Sequence, residues 1–148
     1  MMIIKIKLLT PTLLLLAFCS SAFGMSEEKE IELGREEHKK IIAQHGVYRD
    51  KNIQDYVKMV GERVAKVSSR PNLEYTFTVL NDDMINAFAL PGGFIYVTRG
   101  MLTHMNSESE LAAVLGHEIA HVTEKHALRR NRAGQGINLL STLATAAV

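Results

Sequence analysis

Apolar and polar residues repeat along this chain with two periods, and the changes between them divide it into elements. Ser26 followed by Glu27, Glu28 and Glu30 predicts a helix start, with a capping hydroxyl and acids at the positive end of the dipole. Ile31, His38, Ile41, Ile42 and His45 gather loosely on one side, and Gly46 suits the position after the last turn. Asp50 caps a second helix, in which Ile53, Tyr56, Val57, Val60, Val64 and Val67 follow a helical stripe. Ser68-Ser69-Arg70-Pro71 ends it, because the residue before a proline avoids helical angles. Beyond Pro71 the period becomes two. Tyr75, Phe77 and Val79 alternate with Thr76 and Thr78, the pattern of a half-buried strand. Asn81-Asp82-Asp83 makes a turn, and residues 85–90 and 94–98 then flank Pro91-Gly92-Gly93 as the arms of an antiparallel hairpin, with Gly100 ending the second arm.

The helical period returns after Ser107, which with Glu110 forms a capping box ahead of Leu111, Val114 and Leu115. Leu111, Ala112, Val114, Leu115, Ile119, Ala120 and Val122 surround this helix on nearly all sides, so it should be largely buried. The expected class is α+β, with helices packed on a small antiparallel sheet.

Inside that last helix lies Gly116-His117-Glu118-Ile119-Ala120-His121, an H-E-x-x-H motif. At 100° per residue, His117 and His121 lie about 40° apart on one face, one turn along the axis. Two imidazoles so placed can hold one Zn²⁺, and Glu118 can reach a water on the metal as general base. Burying two histidines and a glutamate unpaired is costly, and a bound metal resolves that cost.

Other candidates have plainer explanations. His38 and His45 fit polar edges of an amphipathic helix, Asp82 and Asp83 fit an Asx-type turn, and Tyr56 fits core packing. Glu124 and Glu110 each lie seven residues from His117, about 10 Å along the axis, and Glu108 fails similarly. His126 points away from His117. Arg129, Arg130 and Arg132 suit a solvated helix end near the negative dipole pole. Residues 137–148 are apolar and could begin another helix.

The chain has 148 residues, enough for one domain, with 17 basic against 16 acidic side chains. That balance gives no basic stripe for nucleic acid. The first 24 residues depart from the rest. Lys5 and Lys7 precede an apolar run over 8–18, and Ala22-Phe23-Gly24 supplies small residues before Met25, the layout of a cleavable signal peptide. The run is shorter than the roughly 20 residues of a membrane span. Export to a periplasmic or other extracytoplasmic compartment is expected. The alternatives are an anchor through an uncleaved leader, or lipidation of Cys19, the only cysteine. Cleavage after Gly24 leaves no thiol or disulfide chemistry in residues 25–148.

The sequence also resembles a known family. Asn86-Ala87-Phe88-Ala89-Leu90-Pro91-Gly92-Gly93-Phe94-Ile95-Tyr96-Val97, then Arg99-Gly100, then Glu108-Ser109-Glu110-Leu111-Ala112 leading into the motif, is similar to the HtpX/BepA-type zinc metallopeptidases, the family 48 metallopeptidases. The likeness runs from about Glu27 to the end. It implies a zincin-like fold, one Zn²⁺ per chain, His117 and His121 as the first two ligands and Glu118 as general base. It also implies polypeptide substrates, protein quality control in the envelope, and an association with envelope membrane proteins. The family's third ligand is a glutamate on a later helix, which residues 25–148 are expected to lack, as a truncated N-terminal portion of the domain. Residues 94–97 (Phe94, Ile95, Tyr96 and Val97) are expected to border the cleft and pair with substrate backbone as an added strand. Set against the endopeptidase are a catalytically incomplete module that binds misfolded clients without cutting them and an inactive truncated product.

Overall fold

The computed structural model describes residues 25–124. The leader, Cys19, His126, the arginine cluster and the apolar tail lie outside the described residues. Within them, the local signals in the sequence act at the expected places. Helix α1 (Glu27–His45) starts where the Ser26 side chain accepts the Lys29 N–H, and closes at Gly46 with φ 71°. Asp50 accepts the Asn52 and Ile53 N–H groups at the head of α2 (Lys51–Ala65). Ser107 accepts the Glu110 N–H at the head of α4 (Glu108–Thr123). A short helix α3 (Arg99–Leu102), not expected from the sequence, forms where the Thr98 side chain accepts the Met101 N–H.

Strands β1 (Thr76–Leu80), β2 (Ala87–Leu90) and β3 (Phe94–Thr98) form one sheet in the order β1-β3-β2. A 3-10 turn, Pro91–Gly93, joins β2 to β3, with Gly92 and Gly93 at φ 78° and 93°. β3 runs antiparallel to β2 and parallel to β1, so the sheet is mixed and not the antiparallel one expected. Each turn does reverse the chain. The third strand enters between the first two, however, and so has one neighbour in each direction.

The sheet's alternating side chains feed two cores. Phe77, Val79, Ile95 and Val97 pack with Val57 and Val60 of α2 and with Leu111, Leu115, Ile119 and Val122 of α4. Leu80, Phe88, Leu90 and Tyr96 pack with Ile41 of α1. Helix α1 also lies against the Pro91–Gly93 turn: the buried Glu30 carboxylate accepts the Gly92 N–H (3.3 Å) and an Arg70 N–H (2.8 Å).

Helix α4 buries a stripe of Leu111, Leu115, Glu118, Ile119 and Val122. Ala113, His117 and Ala120 remain exposed, so the helix is half-buried rather than enclosed. The described sheet and α2 reach it from one side; Ala112 packs against that core, while Ala120, also part of the apolar pattern, stays exposed.

Candidate active site

The capped start of α4 fixes the helical phase of the motif, and the phase decides what each residue meets. His117 and His121, one turn apart, bring their Nε2 atoms within 3.0 Å, with the ring planes at 87° and ring centroids 4.5 Å apart. Both nitrogens can therefore reach one point between them at the ~2.0–2.1 Å of a zinc–imidazole bond. The donor set fits half of a tetrahedral site. Among the described residues no third His, Cys, Asp or Glu joins the pair. Glu108 is engaged instead by Tyr56 (3.0 Å) and Arg63 (2.9 Å), and Glu110 accepts the Asn106 N–H (2.7 Å). Tyr56 itself is exposed, and not in the core as expected.

Glu118 follows His117 on the helix but lies on its buried side, 8% exposed. Burial pushes its carboxyl above the usual carboxylate range, and the charge of His117 pulls it partly back. His117 and Glu118 form one end of a cleft of about 350 Å³, a volume at the small end of ligand pockets. Its other walls are Asn86 and Ala87 at the start of β2, Met101 of α3, and Ala113 and Val114 one turn before the motif. Sequence reasoning passed over these five. The signal for two of them was present, since Ala113 and Val114 lie four and three residues before His117 and so share its side of the helix.

The expectation for residues 94–97 is corrected. β3 is the central strand, paired along both edges, and Ile95, Tyr96 and Val97 are at most 1% exposed. A strand with both edges taken cannot accept another. Phe94 is half-buried against α1, where its ring lies 5.2 Å from His38. The sheet has two outer edges: that of β1 is met by Val47, by the Tyr48 N–H and by the Gln54 side chain at Val79 and Leu80, whereas that of β2 lies beside the cleft. The Thr98 N–H donates to the Asn86 carbonyl, so by antiparallel alternation the Phe88 backbone also faces β3 while the N–H and C=O groups of Ala87 and Ala89 face outward.

Two other described histidines, His38 and His45, serve the scaffold. His38 Nδ1 meets the Tyr96 hydroxyl at 2.7 Å, and burial lowers the pKa of the imidazole and raises that of the phenol. His45 Nδ1 meets Asp82 Oδ2 at 2.6 Å, while Asp82 Oδ1 accepts the Met84 N–H of an Asx turn. The partner that helix spacing could not supply to His45 comes from the β1–β2 loop.

Residues 51–148 match the sequence profile of Peptidase family M48. The chain belongs to that family. Among curated relatives, the family resemblance extends to a beta-barrel assembly-enhancing protease of Yersinia pestis, 31% identical over 110 residues that make up 74% of this chain and 23% of the relative. A mitochondrial metalloendopeptidase OMA1 of Schizosaccharomyces pombe is 29% identical over 130 residues, 84% of this chain and 38% of the relative. The chain thus spans well under half the length of these family members. None of its described helices is long and apolar enough to cross a membrane.

Proposed function

We propose that this chain carries the H-E-x-x-H portion of an exported zinc metalloendopeptidase that hydrolyses unfolded or misassembled envelope polypeptides. The observation that carries this reading is the convergence of the His117 and His121 Nε2 atoms, 3.0 Å apart, beside a buried carboxylate and an uncovered strand edge. His117 and His121 hold the metal. When bound, zinc supplies Lewis acidity, polarising a scissile carbonyl and acidifying water. The β2 edge offers the outward backbone groups of Ala87 and Ala89 to an extended peptide, which selects chains not already folded into sheets or helices. Glu118 accepts a proton from the attacking water and returns it to the leaving amine. Export rests on residues 1–24 as a signal peptide, and the choice of misassembled envelope polypeptides rests on that export together with the likeness to a beta-barrel assembly-enhancing protease of Yersinia pestis.

A second reading is favoured by the outer edge of β2 beside the cleft: a module that binds extended peptides on β2 without cutting them. Cleavage of a fluorogenic unfolded substrate by the zinc-supplemented chain, compared with Glu118→Gln, separates the two. The endopeptidase reading expects turnover that falls by at least about a hundredfold in Glu118→Gln. Peptide binding without turnover in either protein establishes the second reading instead. Ala89→Pro removes an outward N–H while keeping an edge strand that tolerates proline, and it should weaken peptide binding under both readings.

A further inference from the structure

The cleft beside the motif is unequal in its chemistry. One end carries His117 and Glu118, whereas Ala87, Met101, Ala113 and Val114 make up most of the rest. Met101 and Val114 are half-buried and packed on the core of α2, α4 and the sheet, so their exposed halves form a fixed wall rather than mobile surface. The same apolar character continues onto the loop that leads into β2. Met84 and Ile85 are 52% and 47% exposed, and they directly precede Asn86 and Ala87 of the cleft. This loop is braced in place. The Thr98 hydroxyl donates to the Met84 carbonyl (2.5 Å), and a Cβ on Gly100 would fall 2.1 Å from the Asp83 carbonyl oxygen, so the loop backbone lies directly on the turn before Met101. Its charges are occupied: Asp82 by His45 and Asp83 by Arg99. Beside the exposed, Arg99-paired Asp83, the loop leaves the apolar surface of Met84 and Ile85 to solvent next to the cleft residues Asn86 and Ala87.

We propose that Met101 and Val114, with Ile85 and Met84 at the rim, form an apolar specificity subsite that accepts a large aliphatic or aromatic side chain of an extended polypeptide, at a position next to the bond presented to His117 and Glu118. The outer edge of β2 dictates the extended form of the occupant, because an added strand points alternate side chains to one face of the sheet. The face of β2 that bears Ala87 is the one packed toward α4, so a side chain from a strand added there meets the Met101–Val114 wall. Small Ala87 and Ala113 leave the volume, while Met101 and Val114 supply the contact. The subsite depends on the peptidase reading only for its relation to the scissile bond.

The test uses the full chain without added metal, so that binding is read apart from turnover. Blocked polar heptapeptides with a single central residue, Leu, Phe, Ser or Asp, are titrated against it by fluorescence anisotropy. The Leu and Phe peptides should bind about tenfold or more tighter than the Ser peptide. The near-isosteric pair Met101→Gln and Val114→Thr should bring that ratio to within about threefold while the affinity of the Ser peptide stays unchanged. Ile85 lies outside the buried core, and a loss of about threefold for the Leu peptide in Ile85→Thr supports the rim. A wild-type ratio below about threefold, or a preference that survives in all three variants, overturns the subsite. Zinc titration of the same samples reports on the peptidase reading separately. Zinc binding without side-chain preference removes the subsite alone, and preference without zinc binding removes the peptidase reading alone.

Discussion

Replacing Gly34 by alanine sets two forces of known sign against each other. Gly34 lies inside α1, where an alanine is intrinsically favoured over glycine by about 1 kcal/mol. Yet a Cβ there would fall 2.0 Å from the Pro91 carbonyl oxygen and 2.8 Å from Cδ2 of Phe94. The carbonyl belongs to the backbone of the β2–β3 turn and cannot rotate away, so α1 must lift by more than an ångström from a turn that also donates to Glu30. Forced overpacking of this kind costs about 1–3 kcal/mol beyond the propensity gain, which lowers Tm by roughly 5–15 °C for a domain of this size. Gly116→Ala is the matched comparison. Its Cβ would sit 3.5 Å from Cγ1 of Val64, an ordinary contact, so the propensity gain should appear almost undiminished as a stabilisation of about 0.5–1 kcal/mol. Urea unfolding followed by circular dichroism, with m held constant, measures both. The account is refuted if Gly34→Ala is as stable as wild type or moves in the same direction as Gly116→Ala.

Arg70 offers two N–H groups to carboxylates, one to Glu30 and one to Glu27, both at 2.8 Å. Arg70→Met should destabilise by about 3 kcal/mol in urea unfolding, because the charge of Glu30 stays buried without its cation, and adding Glu30→Gln should recover part of the loss. Asp82 is held below the usual carboxylate range, first by the Met84 N–H and then by His45 and Arg99. A folded value below the unfolded one means that its stabilisation is present above about pH 3.9 and disappears as the pH falls through the folded value. Wild type should therefore exceed Asp82→Asn in stability near neutral pH, and thermal melts of the two should draw together as the pH falls below about 3.9; a gap independent of pH would contradict this.

The legible part of this protein was the part set by local chemistry. Ser26, Asp50 and Ser107 each place a side-chain oxygen where free helical N–H groups need one, so three helix starts could be read one residue at a time. The convergence of His117 and His121 follows from helical spacing alone. Strand order did not follow from spacing. Tyr75 to Val79 and residues 94–98 have the same alternation whether they are neighbours or not, and the placement of β3 in the middle is decided by two cores that form only in three dimensions. That one fact moved the strand edge beside the motif from β3 to β2. The burial of α4 was overread for a related reason: Ala120 counts as apolar in a periodicity but is small enough to stay at the surface. The His45–Asp82 pair spans 37 residues and had no sequence signal.

The central claim is that His117 and His121 share one metal ion. Isothermal titration of the metal-free chain with zinc, beside His117→Ala and His121→Ala, tests it most directly, because binding is read without any demand for turnover. The geometry predicts one zinc per chain in the wild type, with either alanine variant losing at least about tenfold in affinity. Wild-type binding that matches that of both variants, or no binding at all, would contradict it.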